Sequence, residues 1–137
     1  KMAGNILNKH KSFQAAEAAL RAGERIADGL SSGDFSDAGT NGRYNRSQPG
    51  DSSPKPDYPV WEQSGINWQD ATVAATGLAA NPQYIIENYG TVTRDDNCEY
   101  DVTNLASCFL PIYRVTAQGW GLNTNSLTII QSTYKRL

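Results

Sequence analysis

One helical stretch near the start of the chain constrains the fold most strongly. Between Ser12 and Ile26 the sequence runs SFQAAEAALRAGERI, which contains no proline and consists mostly of good helix formers. Its apolar positions recur at spacings of three and four residues and therefore share one face of a helix; they are Phe13, Ala16, Leu20, Gly23, Ala27 and Leu30. Gly29 and the Ser31-Ser32-Gly33 sequence end the pattern. We predict one long helix over residues 1–30.

The helix has no clear capping signal at its start. Lys1-Met2-Ala3-Gly4-Asn5 offers only Asn5, which would cap a shorter helix. This pattern predicts that the chain begins within a longer helix.

A loop-rich connecting region over residues 31–82 follows the helix. Residues 31–57 are polar and rich in Gly, Ser and Pro, which predicts a long surface loop, ordered only where Phe35 and Tyr44 pack. Further on, the sequence WQDATVAATGLAANP predicts a short helix that begins near Asp70 and is closed by Asn81-Pro82.

The last third of the chain, residues 83–137, has the composition of strands. Three segments rich in Ile, Val, Thr and Tyr are bounded by turn residues: Gln83 to Gly90, Pro111 to Gly121 and Ser126 to Arg136. Residues 122–125 join the last two as an antiparallel hairpin. One helix followed by such strands predicts a single α+β domain over residues 1–137, with the helix packed on an antiparallel sheet.

Cys98 and Cys108 are the two cysteines of the chain. Their spacing fits neither a C-x-x-C redox motif nor a zinc site, so we predict a disulfide that closes a short surface loop. It would imply an oxidising compartment. Two free thiols, with Cys108 buried in the core, are the alternative.

Charge and motifs exclude several function classes. With 12 basic and 14 acidic residues, the chain has no basic excess for nucleic acid. The single histidine, His10, has no nucleophile placed beside it, and no phosphate-binding glycine loop follows a strand, so we expect neither an enzyme nor a cofactor. Oxygen-bearing side chains alternate from Asp95 to Asp101 as in a calcium loop, but Tyr100 occupies the glycine position and no bidentate Glu follows. We therefore expect a hydrated acidic loop and no metal site.

Several segments together resemble one protein family. KMAGN (Lys1 to Asn5) and FQAAEAALRAGE (Phe13 to Glu24) resemble the N-terminal region of the PilX-family minor pilins of type IV pili. QYIIE (Gln83 to Glu87), YRVTAQGWG (Tyr113 to Gly121) and QSTY (Gln131 to Tyr134) resemble that family's C-terminal strands.

This resemblance implies a pilin-like fold and a non-enzymatic pilus subunit. Such a subunit would join other minor pilins, the major pilin and a large tip adhesin in a priming complex that initiates pilus assembly and supports adhesion and twitching motility. An apolar segment upstream of Lys1 would anchor it in the inner membrane, where the assembly machinery acts, until it moves to the pilus on the cell surface.

The resemblance also assigns contact residues. Since small side chains let helices approach closely, we expect the helix before about Leu20 to be left for neighbouring subunits and the part beyond it to pack on the sheet. The predicted subunit contacts on the helix are Met2, Ile6, Phe13, Ala16 and Leu20. Trp120, between two glycines at the predicted hairpin, is a further candidate for partner contact, but we expect it to fold back onto the sheet.

Two alternatives stay open at this point. A type II secretion pseudopilin would share the same helix and sheet. A secreted enzyme or ligand-binding module with a helical N-terminus is the second, which the single histidine and the lack of convergent acids disfavour.

Overall fold

The predicted helix and C-terminal strands are present in the structure. The structure, a computed structural model, describes residues 2–46, 59–72, 77–93 and 108–135. In this part of the chain, helix α1 (Met2–Ala27) precedes five strands: β1 (Arg43–Asn45), β2 (Gln69–Asp70), β3 (Gln83–Thr93), β4 (Phe109–Trp120) and β5 (Leu127–Lys135). Short 3-10 turns lie at Ser32–Asp34, Thr40–Gly42 and Val60–Glu62.

The strands form one sheet in the order β1-β3-β4-β5, with β2 paired to β3. β4 runs antiparallel to both β3 and β5, β2 runs antiparallel to β3, and β1 runs parallel to β3. The α+β prediction of one long helix on a largely antiparallel sheet is therefore confirmed, as is the hairpin of the last two strands.

The helix covers one side of the sheet, which we call the near face. Alternate residues of the long strands point toward the helix, as strand geometry requires; Tyr84, Ile86, Tyr113, Val115 and Ala117 form the core with Ala19, Ala27, Leu30 and Phe35. The buried Tyr113 hydroxyl donates a hydrogen bond to the Leu30 carbonyl oxygen at 2.9 Å, and its ring centroid lies 4.9 Å from that of Phe35. Phe35 and Tyr44 do pack, which orders the start of the predicted loop.

Small residues bring the helix backbone into direct contact with the sheet. A Cβ atom added to Gly119 would lie 2.4 Å from the Ala16 nitrogen and 2.6 Å from the Ser12 carbonyl oxygen. Ala15, Ala16 and Ala19 are accordingly buried. The expectation that the helix before Leu20 is left free is thus wrong for the buried residues Ser12, Ala15, Ala16 and Ala19. Ala16 packs inside its own subunit because Gly119 leaves room for it.

The predicted short helix near Asp70 is wrong for the residues described there. Asp70 belongs to β2 and pairs with Gln83. Gly77 has a φ of 82°, outside the helical region. The Ala-rich run had suggested a helix, but pairing with β3 determines the conformation where this segment begins.

Two predicted features lie outside the described residues, namely Cys98 and the acidic stretch Asp95–Asp101. Cys108, directly before β4, is fully buried. The pairing of the two cysteines therefore stays a prediction. In the described residues, no helix has the length and apolar character that a membrane crossing requires.

Candidate subunit-contact surface

The first half of α1 carries large apolar side chains that the sheet does not cover. Ile6, Leu7 and Phe13 are 66%, 50% and 44% exposed. The amide of Leu122, in the turn between β4 and β5, donates a hydrogen bond of 2.5 Å to Asn8 Oδ1, so the end of the sheet meets the helix at Asn8. We call Ile6, Leu7 and Phe13 the N-terminal helix surface.

A groove runs beside this surface, between the helix and β5. Its volume is about 350 Å³, and its lining is mostly apolar; the residues are Ile6, Lys9, His10, Phe13 and Thr128. The Ser12 and Thr128 hydroxyl oxygens lie 2.7 Å apart, and Ser12 also donates to the Lys9 carbonyl oxygen at 2.8 Å. The contact between Ser12 and Thr128 joins the helix to β5 beside the groove.

The predicted contact residues occupy different positions. Ile6 and Phe13 lie on the N-terminal helix surface, whereas Leu20 is half-buried and packs against the core. Met2 belongs to the first turn of α1. Leu7 was missed, because it falls outside the repeat of threes and fours that identified the others.

Trp120 ends β4 and is half-buried. It pairs with Leu127 across the hairpin, so it is part of the sheet rather than the tip of the turn. Its exposed portion keeps it a candidate for contact.

The other side of the sheet, the far face, contains a buried ion pair. Arg114 Nε and Nη2 each donate to a Glu87 carboxylate oxygen at 3.1 Å, and Glu87 is fully buried. The Tyr89 ring centroid lies 3.8 Å from Arg46 Cζ and 4.6 Å from Arg114 Cζ. Burial raises the pKa of the Glu87 carboxyl, and Arg114 and Arg46 partly offset that rise. Sequence reasoning missed this pair, although a single charge in each of two apolar strands was a signal.

The described residues contain little that suggests catalysis or metal binding. His10 is exposed and lies in the groove beside Lys9. No three His, Cys, Asp or Glu side chains among the described residues come together as a metal site. The arrangement suits a surface that binds another protein, because large exposed apolar side chains on a rigid helix are typical of interaction sites.

Comparison with known proteins gives one match. The family model described as "Type IV pilus assembly protein PilX C-term" matches residues 32–136, which is well over half of the chain and includes β1 to β5. No curated protein and no solved structure matches the chain.

Proposed function

The chain belongs to the PilX family of type IV pilus assembly proteins, and we propose that it acts there as a minor pilin in the priming complex at the pilus tip. The observation that carries this proposal is the N-terminal helix surface, which is apolar, exposed and fixed on the sheet. Other minor pilins and the major pilin would cover it in the assembled filament.

The proposed mechanism is nucleation. Full burial of an Ile, Leu or Phe side chain contributes about 1.5–3 kcal/mol. Since Ile6, Leu7 and Phe13 are 66%, 50% and 44% exposed, covering them favours association by about 2–5 kcal/mol before the costs of ordering. A preassembled set of subunits would lower the barrier to starting the filament. Each contact would be head to tail, which lets an open helical polymer grow.

The remaining parts of the proposal concern location and partners. The subunit would be held in the inner membrane through an apolar segment upstream of Lys1, in reach of the assembly machinery, and would then move to the pilus at the cell surface. A large tip adhesin would join the same complex, so that adhesion and twitching motility depend on it. The resemblance of the N-terminal stretch to minor pilins supports these steps.

Deletion of the full-length gene in the source bacterium tests the proposal. We expect few or no sheared surface pili, normal protein secretion, and recovery on complementation. In the deletion strain, the Ile6→Ser/Phe13→Ser variant should fail to restore pili, because it removes apolar contact area. Both side chains are exposed, so we expect it to change the free energy of unfolding of the soluble domain by less than about 1 kcal/mol.

Leu122→Ser is the matched control for that variant. Leu122 is 48% exposed, but it lies in the turn after β4 rather than on the helix, so this variant should restore pili.

Trp120→Ala tests the second contact candidate in the same assay, and full restoration would remove Trp120 from the interface. Normal pili with failed secretion would instead support a pseudopilin, and no change in either would refute the assembly role.

We also propose that Cys98 and Cys108 form a disulfide. Cys108 is fully buried and directly precedes β4, which supports a fixed position for this end of the loop beside the sheet. Alkylation in denaturant should leave both cysteines unmodified by mass spectrometry unless a reductant is added first. The Cys98→Ser/Cys108→Ser variant should lose about 2–3 kcal/mol of stability. Alkylation of both thiols without reductant would refute the pairing.

A further inference from the structure

β5 forms a long edge of the sheet in the part of the chain that the structure describes. It spans nine residues, Leu127–Lys135, and within the described residues it pairs with β4 alone. The β4–β5 register is continuous, whereas β3 and β4 have an irregularity between Asn88 and Gly90. At the other side of the sheet, β1 and β2 have only three and two residues. Proteins usually protect edge strands from pairing by shortening them or by bulges, prolines or charged side chains. β5 is long, has no bulge against β4 and no proline, and its one charged residue, Lys135, lies at its end.

The register shows which backbone groups face outward. The Gly121 amide donates to the Ser126 carbonyl oxygen at 3.0 Å, so this pair is hydrogen-bonded and every second pair along the hairpin repeats it. Thr128, Ile130, Ser132 and Tyr134 therefore bond to β4. The N–H and C=O groups of the remaining five residues point away from the sheet; these residues are Leu127, Ile129, Gln131, Thr133 and Lys135.

The side chains of the same five residues are the exposed ones of β5. Leu127 and Ile129 are 47% and 38% exposed, and they flank Thr128, which lines the groove beside the N-terminal helix surface. The edge borders this groove at Thr128, whereas Leu127 and Ile129, as alternate residues, turn their side chains to the far face. Outward backbone groups beside apolar side chains fit an extended segment that adds a strand to the sheet.

Pairing with a second copy of β5 fits poorly. Full-length antiparallel self-pairing would be centred on Gln131 and would set Leu127 opposite Lys135 of the other copy. It would also make a symmetric, closed dimer, whereas a filament grows through contacts between different surfaces.

We propose that β5 receives an extended strand from a different pilus subunit, which completes the sheet as the subunits assemble. The added strand presents apolar side chains beside Leu127 and Ile129 and polar ones beside Gln131 and Thr133. This inference rests on the proposed function, because it takes the neighbouring subunit as the source of the strand.

The test blocks the edge while leaving the β4–β5 hydrogen bonds in place. Gln131→Pro removes one outward N–H group, and Gln131→Ala is its matched control, since both lose the hydrogen bond from Gln131 Nε2 to Thr116 Oγ1. Ile129→Lys is a second blocking variant that keeps every backbone group. Each full-length protein carries the photocrosslinker p-benzoylphenylalanine at Thr133, is expressed in the source bacterium, and is analysed by mass spectrometry after irradiation.

We expect a crosslink to one other pilus subunit in the Gln131→Ala background and at least a tenfold weaker one with Gln131→Pro and Ile129→Lys. A crosslink to a second copy of the chain, an equal crosslink in all variants, or none in the control would overturn the proposal. Pilus number in the deletion strain is a separate readout. Normal pili on deletion, with the expected crosslinks, would refute the priming role but not the strand addition.

Discussion

Gly119→Ala should destabilise the fold by about 2–4 kcal/mol, at or above the upper end of what overpacking usually costs. The added methyl group would meet backbone atoms of the helix, at 2.4 Å from the Ala16 nitrogen and 2.6 Å from the Ser12 carbonyl oxygen. Backbone cannot rotate away as a side chain can, so the helix must lift from the sheet. Urea unfolding of the soluble domain, followed by far-ultraviolet circular dichroism, gives the free energy.

Gly33→Ala is the matched control for this substitution. A Cβ atom at Gly33 meets nothing within 4 Å, so its stability should stay within about 0.5 kcal/mol of the parent. The stability of Gly23→Ala should lie between those of the other two variants. Its added Cβ atom would lie 2.5 Å from Val115 Cγ1, which belongs to a side chain and can move more easily than backbone. Equal stability of Gly119→Ala and Gly33→Ala would show that the helix does not depend on this close approach.

The long elements could be predicted from the sequence because their periodicity extends over many residues. The spacings in α1 and the alternation around Tyr113, Val115 and Ala117 each persist long enough to identify the element. β1 and β2 have three and two residues and carry no such signal. Their positions depend on β3, which is distant in sequence, and the same dependence explains the missing helix at Asp70.

The contact surface could be predicted only in part, since periodicity identifies a face but not what covers it. Ala16 and Phe13 share one helical stripe, yet Ala16 lies under Gly119 while Phe13 stays 44% exposed. The difference arises from a glycine more than a hundred residues away. The edge position of β5 likewise follows from the strand order, which no local pattern determines.

Removal of the Glu87 carboxylate should, like Gly119→Ala, strongly lower the free energy of unfolding. Removing one partner of a buried ion pair costs about 3–5 kcal/mol, because the remaining charge loses the opposite charge that offset its desolvation. Glu87→Ala would leave Arg114, which is 9% exposed, beside Tyr89 and Arg46. We expect this loss at neutral pH, measured by the same urea unfolding.

Glu62→Ala is the control for removing a carboxylate as such. Glu62 is exposed, so the Glu62→Ala variant should change the free energy of unfolding by no more than about 0.5 kcal/mol. If the two side chains act as a pair, the Glu87→Ala/Arg114→Ala double variant should lose less stability than the two single variants added together. The difference should be about 1–3 kcal/mol. Simple additivity would mean that each side chain stabilises the far face independently.

The location of this pair connects its stability to the proposed assembly role. Glu87 and Arg114 join β3 to β4 at directly opposite positions, and β4 in turn holds β5 and the helix through Gly119. Loss of the pair should therefore loosen the support of both the groove and the β5 edge, although neither residue lies in them. Glu87→Ala should then restore few pili in the deletion strain, whereas Glu62→Ala restores them fully. Normal pili from a measurably destabilised Glu87→Ala protein would show that assembly itself holds the sheet together.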